Sequence, residues 1–271
     1  MVYNLGERCK SPWEMSLELK PKWDGIIGLD EKMCRVRGRQ QWFYLASDTT
    51  GDVIDCRAVK ELTVNEAITF LEGLKTLGLK VRAMVTDLDT VLTLAVEKVY
   101  PQTPHQYCIK HALAAIEEIL GYKPIAVRRG WNQRILRNKF ERLAGRKGIW
   151  RERAQEEFRS NWEAARQLSQ HYRSLHRLWE AARTILTAQT EQEAQTFFRS
   201  LRHIQTDRDD QRKKVVAFFR RHWDRLMMHH RVRGLPRTNN LAENLNKQLE
   251  RRLKTIESFQ SPSSAKNYVT C

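Results

Sequence analysis

Two aspartates directly follow apolar runs of the sequence and are the first candidates for chemistry. Asp30 comes after residues 25–29 and Asp87 after residues 81–86, two runs that predict β-strands. Functional side chains collect where the strands of a sheet end in loops, and antiparallel partners between these strands could set both carboxylates side by side. Each aspartate taken alone has an alternative role as a turn former. Asp89 is the better candidate to cap the following helix, which favours Asp87 as the functional member of that pair.

A third carboxylate, Glu243, lies in a segment with leucine at every fourth position. This spacing predicts a helix with a buried apolar stripe, and Glu243 on the opposite side could face a cleft. Two local alternatives stay open: Asn240 and Glu243 resemble a capping box, and Glu243 can pair with Lys247 one turn later. The leucines of the stripe are Leu241, Leu245, Leu249 and Leu253.

The elements that would position these acids alternate along the first half of the chain. Three extended segments joined by short turns predict an antiparallel meander, and helically spaced apolar runs then alternate with short β-favouring runs. The predicted order is β-β-β-α-β-α-β-α, an α/β fold. The strands are expected over 25–29, 41–47, 53–59, 81–86 and 105–107, and the helices over 64–77, 90–99 and from Cys108 onward.

The second half of the chain has a different character. Residues 131–228 contain no proline and recurrent arginine-rich amphipathic segments, which predicts an all-helical insertion. A loop is expected over 231–237 and a final helix from Asn240. The predicted organisation is an N-terminal extension (1–22), a first core segment (23–127), a basic helical insertion (128–237), a core helix with Glu243 (238–260) and a C-terminal tail (261–271).

The net charge of +16 is concentrated in the predicted insertion. Residues 128–237 carry 27 Lys and Arg against 12 Asp and Glu, and 23 of those 27 are arginine, whereas residues 1–127 are almost balanced. Because the planar guanidinium group matches phosphate oxygens, the block is suited to bind nucleic acid. A solvated basic helical surface is the alternative.

Composition argues against several other classes of protein. Hydrophobic residues make up 41% of the chain, which is typical of a folded globular protein, and no apolar run is long enough for a membrane span or a secretory signal. The five cysteines are scattered without a Cys-x-x-Cys pair, which argues against a zinc ribbon or a disulfide framework. We therefore expect a cytosolic protein without a membrane partner.

Four segments together resemble the DDE transposases of the Mutator-like and bacterial insertion-sequence type. They are the strand before Asp30, the segment VTD at 85–87, the run 104–111 with its Cys-x-x-His motif, and TNNLAENLNK at 238–247. The resemblance covers most of residues 23–260. It implies a ribonuclease-H-like mixed sheet, with three antiparallel strands and then alternating helices and strands, and a large all-helical insertion before the final catalytic helix.

The resemblance also implies a reaction and the residues that carry it. Asp30 would bridge two Mg²⁺ ions while Asp87 and Glu243 each hold one, with Mn²⁺ as a substitute, and such hard cations prefer carboxylate oxygens. Two ions stabilise the attacking and leaving oxygens of a phosphodiester, so the implied activity is DNA strand cleavage and strand transfer that moves an insertion sequence. In the motif of Cys108 and His111, the histidine would orient the scissile phosphate or donate a proton, or else be structural.

The partners implied are double-stranded DNA, at transposon ends and target, and a second copy of the chain in a homodimer or higher assembly. The location implied is the prokaryotic cytosol, either cytoplasmic or nucleoid-associated. DNA contacts are expected from Arg237, Asn240, Lys247, Arg251 and Lys254.

Two features depart from the family pattern. The 29 residues before Asp30 show neither a helix-turn-helix nor a zinc ribbon, and Leu88 follows Asp87 where relatives often have glycine. Two alternatives therefore stay open: a truncated, catalytically inactive remnant that only binds DNA, or a ribonuclease-H-like nuclease.

Overall fold

A mixed α/β architecture is seen in the computed structural model, which describes residues 10–122, 174–240 and 242. The described residues form one five-stranded sheet and seven helices. The strands are β1 (Ile26–Val36), β2 (Arg39–Ser47), β3 (Val53–Val59), β4 (Ala83–Thr86) and β5 (His105–Tyr107), in the order β3-β2-β1-β4-β5. This order is compatible with the predicted ribonuclease-H-like fold.

The first three strands form the antiparallel meander that the sequence predicts. β1 is longer than expected, because its pairing with β2 continues to Val36↔Arg39, so the prediction that the strand ends at Asp30 was wrong. The hairpin closes through Arg37 and Gly38, both with positive φ (49° and 74°), which is the backbone that matches the twist of a two-residue hairpin.

β4 and β5 extend the sheet in parallel on the other side of β1. β4 pairs in parallel with β1, and β5 in parallel with β4. The expectation of antiparallel partners between the strands before Asp30 and Asp87 was therefore wrong, because these two strands pair directly. Parallel neighbours need a crossover connection, and helices supply the connections that lead into β4 and β5.

Four helices accompany the sheet: α1 (Pro12–Leu19), α2 (Val64–Thr76), α3 (Thr90–Val99) and α4 (Ile109–Leu120). α2 and α3 supply much of the main core against Ile27, Leu29 and Met84 of the sheet. α1 was not predicted; its N-terminus is a Ser11–Glu14 capping box, and Ser16 Oγ donates to the Ile54 carbonyl of β3 at 3.1 Å.

The chain divides into two compact units, and the second spans Leu113–Trp223. Its described part is helical, as predicted, with α5 (174–187), α6 (Glu191–Arg202) and the start of α7 (Asp209–Arg231). Phe198, Phe219 and Trp223 form an aromatic cluster there. Residues 123–173, which include the first part of the predicted insertion, lie outside the described residues, so the predicted boundaries of the insertion remain predictions.

Candidate active site

The two candidate aspartates lie at the same edge of the sheet, where the parallel pairing of β1 and β4 ends. β1 and β4 pair as far as Gly28↔Val85. Continuing this register by two residues sets Asp30, within β1, level with Asp87, which directly follows β4, and alternation places both on the face of Gly28 and Val85. The fold thus brings together the two acids that the sequence singled out, through direct parallel pairing of their strands.

Asp87 and Asp89 divide two roles between them. Asp89 is the N-cap of α3, since its carboxylate accepts the Leu92 N–H at 2.8 Å, as the sequence predicts. Asp87 accepts the Asp89 N–H at 3.1 Å and does not cap the helix. Burial raises the pKa of Asp87, although this backbone hydrogen bond and His111 act in the opposite direction. A cation beside Asp87 would favour its charged form.

Glu31 is a further acid of this site that sequence reasoning missed. It belongs to β1 and is partly buried, and its Oε2 has no hydrogen-bond partner within the described residues. Burial raises the pKa of Glu31 to about 8, and the negative charges of Asp87, Asp89 and Asp30 add to that effect. Four acidic side chains therefore lie close enough to repel one another at this edge of the sheet.

The chemistry of this acidic group fits a hard cation, although the described residues alone do not complete a site. No group of three or more His, Cys, Asp and Glu side chains within 10–122, 174–240 and 242 is arranged to hold one metal ion. Glu243, the third predicted ligand, lies outside the described residues. Asp30, Asp87 and the unpartnered Glu31 are the acids that a cation could stabilise, because each carries a carboxylate oxygen suited to Mg²⁺.

Gly28 shows how the chain approaches Glu243. A Cβ atom built on Gly28 would lie 3.7 Å from the Cβ of Ala242, which is fully buried. Gly28 is two residues before Asp30 and on the same face of the sheet. The residue that precedes Glu243 therefore packs on the sheet face that carries Asp30.

The two residues of the Cys-x-x-His motif have different surroundings. Cys108 is fully buried, donates its N–H to the Thr86 carbonyl at 2.7 Å, and accepts the Asn239 N–H on Sγ at 3.4 Å. His111, in the first turn of α4, lies near enough to Glu31 and Asp87 to lower the pKa of both. Cys108 thus joins three segments of the site, and His111 is the basic group beside its acids.

Two buried side chains, Thr86 and His105, form a hydrogen-bond chain that holds the backbone carbonyl of Asp87. Thr86 Oγ1 donates to the Asp87 carbonyl at 2.7 Å and lies 2.8 Å from His105 Nε2. Because the hydroxyl has one proton, it accepts from His105, which must donate through Nε2–H. Burial accordingly lowers the pKa of His105 to about 3, with Arg225 contributing.

A match to a known protein family shows to which family the chain belongs. The sequence pattern of the ISL3 family of DDE transposases matches residues 27–256. The chain belongs to this transposase family. No curated protein matches it. The ISL3 family differs from the Mutator-like type that the motifs suggested, so that finer resemblance and the role of the Cys-x-x-His motif are not confirmed.

Two residues that were predicted to contact DNA, Arg237 and Asn240, are among the described residues, and their contact with DNA stays a prediction. Lys110 Nζ donates to Asn240 Oδ1, and the Arg237 backbone carbonyl accepts the Ile109 N–H at 3.0 Å. Lys247, Arg251 and Lys254 lie outside the described residues. Arg225, an arginine of the predicted insertion, pairs with Glu97 and donates to the Tyr107 hydroxyl at 2.6 Å.

Within the described residues, no helix is both long and apolar enough to cross a membrane.

Proposed function

We propose that this chain is the catalytic part of a DNA transposase with a ribonuclease-H-like core and a helical insertion before its last catalytic residue. The observation that carries the proposal is the parallel register of β1 and β4, which, continued by two residues from Gly28↔Val85, sets Asp30 level with Asp87. The family membership supports the same reading. Double-stranded DNA is the proposed substrate, and a homodimer or higher assembly would hold two transposon ends.

Asp30, Asp87 and Glu243 would hold Mg²⁺, or Mn²⁺ in its place. When bound there, the metal would stabilise the negative charge that develops on the attacking and leaving oxygens of the phosphodiester. Glu31 Oε2, which is buried without a hydrogen-bond partner within the described residues, and the pKa of Asp87, which burial raises in spite of nearby His111, support this assignment, since buried carboxylates need compensating positive charge.

The other residues of the site would orient these ligands and handle protons. Asp89 fixes the turn after β4 by capping α3, and Thr86 with His105 holds the Asp87 backbone. His111, close to Glu31 and Asp87, is positioned to orient the scissile phosphate or to protonate the leaving oxygen. The exposed arginines of the insertion would neutralise DNA phosphates.

The test is nicking of supercoiled plasmid in Mg²⁺ or Mn²⁺ by Asp30→Asn, Asp87→Asn and Glu243→Gln. Each change keeps the size of the side chain but removes the charge that a metal ligand needs, so we expect metal-dependent cutting to fall at least about 100-fold with thermal stability unchanged or raised. Asp89→Asn is the matched control, because asparagine caps helices as well as aspartate does, and it should retain cutting.

Three outcomes separate the candidate functions. Cutting and strand joining that both depend on the three acids support the transposase. Hydrolysis without strand transfer to a target plasmid would indicate a nuclease of the same fold. If the wild type binds DNA but never cuts it, and the variants behave alike, the chain is a DNA-binding remnant and the enzymatic proposal is wrong.

A further inference from the structure

Asn239 is the most deeply buried polar residue of the segment that leads to Glu243. It is 3% exposed, and its side-chain Nδ2 donates to the carbonyl of Leu29 at 2.7 Å. Because a carbonyl only accepts, the amide orientation follows: Nδ2 faces Leu29 and Oδ1 faces the other way. Leu29 immediately precedes Asp30, so this bond fixes Asn239 to the backbone that presents the first catalytic acid.

Two further contacts place the same residue at the meeting point of the motifs. The Asn239 N–H donates to Cys108 Sγ at 3.4 Å, which links it to the segment that begins α4 and carries His111. Its Oδ1 lies only 2.5 Å from the point where a Cβ on Gly28 would be. A β-carbon essentially never comes so close to another heavy atom, so glycine at position 28 is what permits this approach.

These contacts have one geometric consequence. Asn239 stands four residues before Glu243 in the chain, and Ala242, one residue before Glu243, packs over the same glycine. The end of β1 and the segment before Glu243 are thus held together by one amide group and one close packing contact. No charged or exposed group takes part in the joint, so it is protected from competition by water.

We propose that Asn239 is a positioning residue of the transposase reaction, which holds the segment that leads to Glu243 on the Leu29 carbonyl, next to Asp30, and on Cys108. This inference rests on the proposed function, because it concerns the placement of the proposed metal ligands. It assigns Asn239 itself no contact with DNA or metal. Mutation of groups that orient the metal ligands without touching the metal lowers metal affinity by about 10- to 100-fold, and we expect an effect of this size here.

The experiment uses the full chain with Asn239→Asp, which keeps the shape of the side chain but replaces the donor facing Leu29 by a carboxylate oxygen. Asn239→Ala is a second variant that removes the amide without adding charge. Asn65→Asp is the matched control, since Asn65 is exposed in the first turn of α2. Mn²⁺ binding is measured by electron paramagnetic resonance, alongside plasmid nicking, DNA affinity and thermal unfolding, at a temperature where all variants are folded.

We expect both Asn239 variants to weaken Mn²⁺ binding by about 10- to 100-fold and to shift the Mn²⁺ dependence of nicking equally, with DNA affinity unchanged. Lower thermal stability with wild-type Mn²⁺ binding and wild-type nicking per folded molecule would show that Asn239 is only structural and overturn the inference. If the wild type binds no Mn²⁺ and never cuts DNA, the proposed function itself is wrong. This outcome differs from failure of the Asn239 inference alone, because it is seen in the wild type without any substitution.

Discussion

Substitution of Glu31 by glutamine should stabilise the metal-free protein at neutral pH. Glu31 has its pKa raised from 4.5 to about 8, with burial as the largest cause and the charges of Asp87, Asp89 and Asp30 next. At pH 7 the folded chain therefore holds Glu31 mostly protonated, whereas the unfolded chain holds it ionised. Glutamine has nearly the same shape as the protonated acid and does not titrate, so it avoids this difference.

The sign and size of the effect follow from proton linkage. A folded-state pKa above the unfolded value gives a contribution that is fully present below about pH 4.5 and is lost as the pH rises towards 8. One pKa unit corresponds to about 1.4 kcal/mol, so the free energy of unfolding should fall by about 3 kcal/mol by pH 7 on account of Glu31. Glu31→Gln should recover about this amount at pH 7 and almost nothing at pH 4.5.

The assay is urea unfolding of both proteins in EDTA from pH 4.5 to pH 8, followed by tryptophan fluorescence and circular dichroism. The difference between the variant and the wild type should grow with pH, and saturating Mg²⁺ should shrink it, because a cation favours the ionised form of the nearby acids. A difference that is the same at pH 5 and pH 8 would refute the claim that Glu31 is forced to stay protonated by this site.

Two further predictions concern the support of the site. His105→Gln can keep a donor to Thr86 but cannot be protonated. Since burial lowers the pKa of His105 to about 3, the free energy of unfolding of the wild type should fall by about 2 kcal/mol relative to this variant between pH 7 and pH 5. Urea unfolding measures this difference, and parallel pH profiles of the two proteins would contradict it. Gly28→Ala should lower the free energy of unfolding by about 1–3 kcal/mol, because its Cβ would meet Asn239 Oδ1 at 2.5 Å. Gly73→Ala, inside α2, is the contrasting control and should stabilise by about 0.5–1 kcal/mol, because its Cβ would meet only the flexible end of the Arg57 side chain, at 3.1 Å. Equal effects at the two glycines would show that the close approach at Gly28 has no cost.

The parts of the fold that the sequence predicted well are those with local chemical signals. α3 (Thr90–Val99) and β5 (His105–Tyr107) have the predicted bounds, since Asp89 caps the helix and the apolar spacing is regular. The extension of β1 beyond Asp30 had no such signal. It exists because β2 pairs with it through backbone hydrogen bonds, which any sequence can make.

That error at β1 also explains the acid that was missed. If the strand ended at Asp30, Glu31 would be a loop residue with free access to water. In the structure Glu31 is a strand residue level with Tyr44 of β2, on the opposite side of the strand from Asp30. The role of Asn239 could not be read from sequence for a different reason, since its partner Leu29 is 210 residues away and no periodicity links them.

The parallel direction of β4 is what turns separate acids into a site, and it also makes them costly. If β1 and β4 were antiparallel, Asp30 and Asp87 would lie at opposite ends of the pairing. The four-residue length of β4 would then separate the two carboxylates by roughly 10 Å or more, and they would hardly repel each other. Parallel pairing brings both carboxylates to one edge, beside Glu31 and the cap residue Asp89, in partly buried positions. Burial is the largest cause of the raised pKa of Glu31, and the repulsion that adds to it is a result of this topology. A cation bound beside these acids would relieve that repulsion, which is the role that the proposed metal has at this edge of the sheet.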